Sequence, residues 1–168
     1  FQDSSLGPIP EGWEVRPLSE AIEVDPRRTL KKGTVAPYLD MGSMPTDSAR
    51  PEAWGNREFN SGTRFKNGDV LVARITPCLE KGKTAFVDFL SEGEVGWGST
   101  EYIILRSRAN LPPQYPYFLA RSENFRAHAI ANMTGSSGRQ RVPRTCFQDY
   151  PIAVPDEAVA QKFGDIAH

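Results

Sequence analysis

The sequence predicts a mixed α+β fold, with a twisted, largely antiparallel β-sheet packed on short helices and many long loops. Three observations carry that expectation. Residues 70–73 and 102–105 are apolar runs that suit strands buried in a sheet. Apolar residues at helical spacing occur only over short windows, such as Leu18 with Ile22. The 14 glycines and 14 prolines among 168 residues interrupt the chain too often for long regular elements.

Taken in order, the Pro and Gly of residues 8–12 mark a turn. Trp13 and Val15 alternate with Glu14 and Arg16, predicting a short half-buried strand, and Leu18 and Ile22 then form one turn of amphipathic helix. Tyr38 to Met41 reads as a short strand ended by Gly42 and Pro45. Residues 46–64 read as a long exposed loop anchored by Trp54 and Phe59. Asn67-Gly68 is a turn signal, after which Val70 to Ala73 forms a strand buried on both faces. Ala85, Val87 and Phe89 alternate with their neighbours as a second strand, so residues 74–83 become the loop of a hairpin. Residues 96–100 lead into the strand that begins at Tyr102. From Tyr117 to Met133 a helix is expected, with Phe118, Phe125, Ala129 and Ile130 on its apolar stripe and Arg121 and Arg126 facing out. Residues 134–141 have no apolar side chain and cannot enter a core; Val142 and Phe147 tether the far end. Residues 150–155 read as an edge strand because proline cannot donate to a ladder. Val159, Phe163 and Ile166 then fall at helical spacing, with Asp156 and Glu157 in the first turn where the helix dipole favours anions.

The length suits one domain with its own core. Hydrophobic residues at 39% are too many for a disordered chain. No apolar run approaches the roughly 20 residues of a membrane span, and no secretory signal opens the chain. The first residue, Phe1, is read as the start of a fragment or a processed chain. Cys78 and Cys146 cannot build a disulfide framework, so a reducing, cytoplasmic setting is expected.

The net charge of −1 argues at first against a polyanionic partner, but it hides segregation. Residues 62–84 hold five basic side chains against two acidic ones, and residues 121–144 hold five against Glu123 alone. If the two segments meet in space, they form the positive face that a phosphate backbone needs.

Signatures of catalysis are missing. There is no glycine-rich nucleotide loop, and His128 and His168 have neither metal nor triad spacing. Residues 110–115 only faintly resemble an Asn-Pro-Pro-Tyr motif, with Leu111 and Gln114 inserted. Cys78 lies near Lys81 and Lys83 but lacks a partner base. No catalytic residue, metal or cofactor is expected.

Five blocks in order resemble a target recognition domain of a type I restriction–modification specificity subunit. They are Ile9-Pro10-Glu11-Gly12-Trp13; Pro37-Tyr38-Leu39-Asp40-Met41-Gly42; residues 65–71 running into Ala73-Arg74-Ile75-Thr76-Pro77-Cys78-Leu79; Gly98-Ser99-Thr100-Glu101-Tyr102; and residues 134–142 followed by residues 150–155. The lead-in at residues 3–8 is similar to the approach to a second recognition domain. The resemblance implies a specificity-domain-like fold over residues 1–155 and, at residues 156–168, the truncated start of a spacer helix. It implies a non-catalytic protein that reads one half of a bipartite double-stranded DNA site. The implied partners are methyltransferase subunits, restriction subunits through them, and a second recognition domain or half-subunit through the spacer. The alternative is a protein-interaction module that docks the methyltransferase with little DNA affinity of its own.

Candidate DNA-binding residues are Arg74, Thr76, Lys81 and Lys83 on the hairpin loop, Ser99, and Ser136, Ser137, Arg139, Gln140 and Arg141 on the polar loop. Arginine can fork onto guanine and glutamine onto adenine, whereas lysine suits phosphate. Each loop also has the plainer reading of a solvated turn. Gly96, Gly98 and Ser99 fit either close approach to DNA or a tight turn entering a strand. Trp13, Phe65 and Trp97 are assigned to the core.

Overall fold

The computed structural model describes residues 1–109 and 111–156. Asn110 and the helix expected after Asp156 lie outside the described residues. The expected α+β class holds, but the strands divide into three sheets. A two-stranded ribbon pairs β1 (Trp13–Pro17) antiparallel with β10 (Pro151–Pro155), in the register Trp13↔Pro155 to Pro17↔Pro151. The helical turn α1 (Leu18–Ala21) follows β1, and Ile22 already belongs to β2 (Ile22–Val24).

The central sheet has the order β2, β9 (Tyr102–Ser107), β6 (Val70–Ala73), β7 (Thr84–Phe86), and every neighbouring pair is antiparallel. Strand β6 is buried along its whole length, as its apolar run predicts. Val70 and Val72 join a core with Leu18, Ile22, Phe125, Phe147 and Ile152, while Leu71 joins a second core with Leu39, Phe65 and Ile104. The alternation of side chains along a strand produces this division.

The third sheet has the order β4 (Gly55–Glu58), β3 (Val35–Leu39), β8 (Val95–Gly98), β5 (Thr63–Lys66), and its β3–β8 pair is parallel. Two of its strands, β4 and the start of β5, lie within the expected loop at 46–64. Phe59 anchors that stretch against Trp97, whereas Trp54 remains 41% exposed and packs on Phe89. Gly96 and Gly98 sit inside β8. A Cβ on Gly98 would stand 2.5 Å from the Tyr102 ring, and one on Gly96 2.7 Å from the Phe65 ring. These glycines therefore make room for ring packing inside the sheet.

The expected helix at 117–133 is two helices, α2 (Tyr115–Arg121) and α3 (Glu123–Ala131). Ser122 breaks the run with extended backbone, and its Oγ accepts the Phe125 N–H as an N-cap. The break rotates the apolar stripe. Tyr117, Ala120, Phe125 and Ala129 are buried, while Phe118 is 66% exposed and Ile130 is also exposed.

Candidate nucleic-acid interface

Residues 74–83 form the connection of the β6–β7 hairpin. The Ala73 N–H donates to the Lys83 carbonyl at 3.1 Å, and Leu79, Lys81 and Gly82 donate to Ile75, Pro77 and Leu79 at 2.9–3.0 Å. Buried Leu79 pegs this folded turn into the core. The polar loop is also closed. Thr134 and Arg141 exchange backbone hydrogen bonds of 2.9 Å, and the Arg139 N–H donates to the Ser136 carbonyl at 3.0 Å across the tip. The tip needs Gly138 at φ 79, a left-handed conformation open to glycine at little cost.

The two loops are joined through their backbones. The Thr76 N–H donates to the Gln140 carbonyl at 2.9 Å, and the Val142 N–H to the Arg74 carbonyl at 2.8 Å. The two basic loops therefore lie side by side, a proximity that net charge alone conceals.

Their side chains divide into two groups. Arg74 is only 20% exposed; its Nε donates to the Val142 carbonyl at 3.1 Å and lies 3.9 Å from Glu101 Oε2. Burial, then the like charge of Arg144, lowers its pKa, and Glu101 partly opposes the shift. Arg141 is 43% exposed, and its Nε donates to Glu101 Oε1 at 2.9 Å. Lys83 donates through Nζ to the Met41 carbonyl at 2.8 Å, and Thr76 Oγ1 donates to the Glu80 carboxylate. Ser99 Oγ accepts the Glu101 N–H at 3.0 Å. By contrast, Lys81, Ser136, Ser137 and Arg139 are exposed, and Gln140 is half-buried beside them.

No family model matches the chain. It is 34% identical over 166 residues to the type I restriction enzyme EcoEI specificity subunit of Escherichia coli, covering 92% of this chain and 27% of that protein. The chain is a homologue of type I restriction enzyme specificity subunits. The EcoAI specificity subunit of Escherichia coli is 32% identical over 157 residues, covering 88% of this chain and 26% of its own length. The chain thus spans about a quarter of the length of these curated relatives. Among solved structures, the HsdS subunit from Thermoanaerobacter tengcongensis superposes with a TM-score of 0.74 at 18% identity, covering 98% of this chain and 43% of that one. The type I restriction–modification S subunit from M. genitalium gives 0.51 at 14% identity, covering 92% of this chain and 39% of that one. At these identities the likeness establishes the fold.

In this specificity-subunit homologue, three residues outside the sequence-level candidates organise the face. Glu101 holds Arg141 and stands beside Arg74; its Oε2 is buried without a hydrogen bond. Arg121, expected to face solvent, instead caps carbonyls. Its guanidinium donates to Gly82 at 2.8 Å, Ser48 at 2.9 Å and Thr84 at 3.4 Å, and also to Thr46. Arg144 pairs with Asp25 at 3.0 Å and donates to the Tyr102 carbonyl at 2.8 Å. Sequence distance hides all three contacts. The one local clue is that Glu101 is the sole acidic residue of its block.

His128 is half-buried at the core edge, with its ring 4.7 Å from that of Tyr150. Both cysteines are free thiols. Among the described residues no helix is long and apolar enough to cross a membrane.

Proposed function

We propose that this chain is a non-catalytic recognition domain that binds double-stranded DNA sequence-specifically and reads one half of a bipartite site for a type I restriction–modification complex. The observation that carries the reading is the docking of loop 134–141 on hairpin loop 74–83. It puts hydrogen-bonding side chains on a braced, protruding support, the arrangement that base readout requires. Base contacts fall to Arg139 and Gln140, with Ser136 and Ser137 beside them, and phosphate contact falls to Lys81. Arg74, Thr76, Lys83 and Ser99 brace the loops, while Arg141 is aimed by Glu101. The recognition body occupies residues 1–155. The helix expected over 156–168 leads to the methyltransferase subunits, to restriction subunits through them, and to a second recognition domain.

Selection from a pool of randomised duplexes at low ionic strength tests the reading. Enrichment of one short sequence, lost in Arg139→Ala, is expected; binding without sequence enrichment would overturn half-site reading. Exposed Phe118 on α2 favours a second reading, a methyltransferase-docking module. A methyltransferase pull-down abolished by Phe118→Asp, together with no duplex binding by the wild-type chain, would favour that module instead.

A further inference from the structure

A second cluster of arginines lies beside the reading loops and outside both basic segments' tips. An open cleft of about 250 Å³ is lined by Arg27, Arg28, Arg64 and Arg144, with Asp25 its one carboxylate. The cleft is built on fixed supports. Asp25 adopts φ 53, a left-handed conformation costly for a residue with a Cβ. It is held there by Ile104, which accepts the Asp25 N–H at 2.8 Å and donates its own N–H to Asp25 Oδ1 at 3.0 Å. Arg28 is clamped by fully buried Asp69 at 2.7 and 3.2 Å, and Arg106 reaches the same carboxylate at 2.9 Å. Asp69 therefore answers two guanidinium charges with one.

Arg27 and Arg64 are different. Both are exposed, and neither has a carboxylate partner among the described residues. Arg64 only lies 5.6 Å from the Phe59 ring centroid. Arg27 extends from the same backbone whose carbonyl accepts Arg28 Nη1 at 3.0 Å, so its base is anchored while its charge is free. The cleft is continuous with the reading face through residues 100–102. Arg144 binds the carbonyls of Thr100 and Tyr102, while Arg74 and Arg141 flank the side chain of Glu101 between them.

We propose that this cleft seats a backbone phosphate of the duplex next to the bases read by loop 134–141, with Arg27 and Arg64 as the ligands and Arg144 and Arg28 as the fixed positive wall. The proposal rests on the DNA-reading assignment above. Arginine suits the role because its planar fork matches phosphate oxygens, and such contacts set register without carrying sequence information.

The test compares the wild-type chain, Arg27→Ala/Arg64→Ala, and the charge-matched control Lys31→Ala/Lys32→Ala on a mixed-sequence duplex across a salt series. Thermal melts should coincide, since the four side chains make no hydrogen bonds to the described residues. The arginine variant should lower the slope of log K against log salt by about 1, leave the pool-selected sequence unchanged, and bind more weakly to every duplex alike. A neutral methylphosphonate scan should locate one linkage where wild-type binding falls and the arginine variant is indifferent. Equal slope losses in the lysine control would reduce the effect to general charge and overturn the proposal. So would an arginine variant that loses inorganic-phosphate binding yet keeps the full duplex slope, because the cleft would then take a free anion. If the wild-type chain enriches a sequence but the arginine variant keeps its slope, the seat alone is refuted. If the wild-type chain shows no salt-dependent duplex binding, DNA reading fails and the seat fails with it.

Discussion

The hairpin loop at 74–83 and the polar loop at 134–141 are alike in net charge and opposite in use. Both are basic, both are closed by backbone hydrogen bonds, and they touch. In the first, Arg74 and Lys83 turn inward to the carbonyls of Val142 and Met41, and only Lys81 stays free. In the second, Arg139 and the two serines project into solvent. A basic residue near a candidate interface is thus of two kinds. A cation whose donors already meet protein carbonyls shapes the surface, and one without such partners is available to a ligand. Segment charge cannot separate them, because the distinction depends on acceptors distant in sequence.

The largest test of this division is Arg121, which ties the hairpin base to the 46–48 segment. Arg121→Ala strips donors from four carbonyls and should destabilise the chain by about 2–4 kcal/mol in urea unfolding, with Arg121→Lys recovering only part. Stability unchanged in Arg121→Ala would break the claim that inward cations hold this face. Next is Arg139→Ala, expected to cost about 1–3 kcal/mol on the preferred duplex and almost nothing on a scrambled one, at unaltered melting temperature. Arg74→Ala should do the reverse, losing about 1 kcal/mol of stability with the order of base preference preserved. A changed preference in a fully folded Arg74→Ala protein would move Arg74 to the outward group. The smallest effect belongs to Lys81→Ala. It should flatten the salt slope by about 1 for all sequences equally and leave urea unfolding within about 0.5 kcal/mol of wild type.

Much of this architecture was legible where one physical demand dominates a short segment. The apolar run at 70–73 can only be buried, and the apolar-free run at 134–141 can only be exposed. The strand at 151–155 announces its edge position by its prolines. Elsewhere the deciding partner lies far along the chain. Strand β4 is exposed at all four residues and carries no apolar alternation, so only its pairing with β3 makes it a strand. The parallel β3–β8 pair leaves no local trace. The break between α2 and α3 did leave one, since Ser122 followed by Glu123 is a helix-start signal, but it sits inside a longer helical composition that masks it. Of the candidate site, the loops themselves were readable. Which basic side chains are free was not, because that depends on Glu101, on the Val142 carbonyl that takes Arg74, on the Met41 carbonyl that takes Lys83, and on the arginine cleft around Asp25.

The pairing of β1 with β10 has a mechanical meaning. Trp13 and Pro155 face each other across one ladder, about 5 Å apart as antiparallel partners are. The polypeptide therefore enters and leaves the folded body at one place, a neck made of this ribbon. Lengthening or rewriting a loop inside the body leaves the span across that neck unchanged, so whatever adjoins either side is insulated from the change.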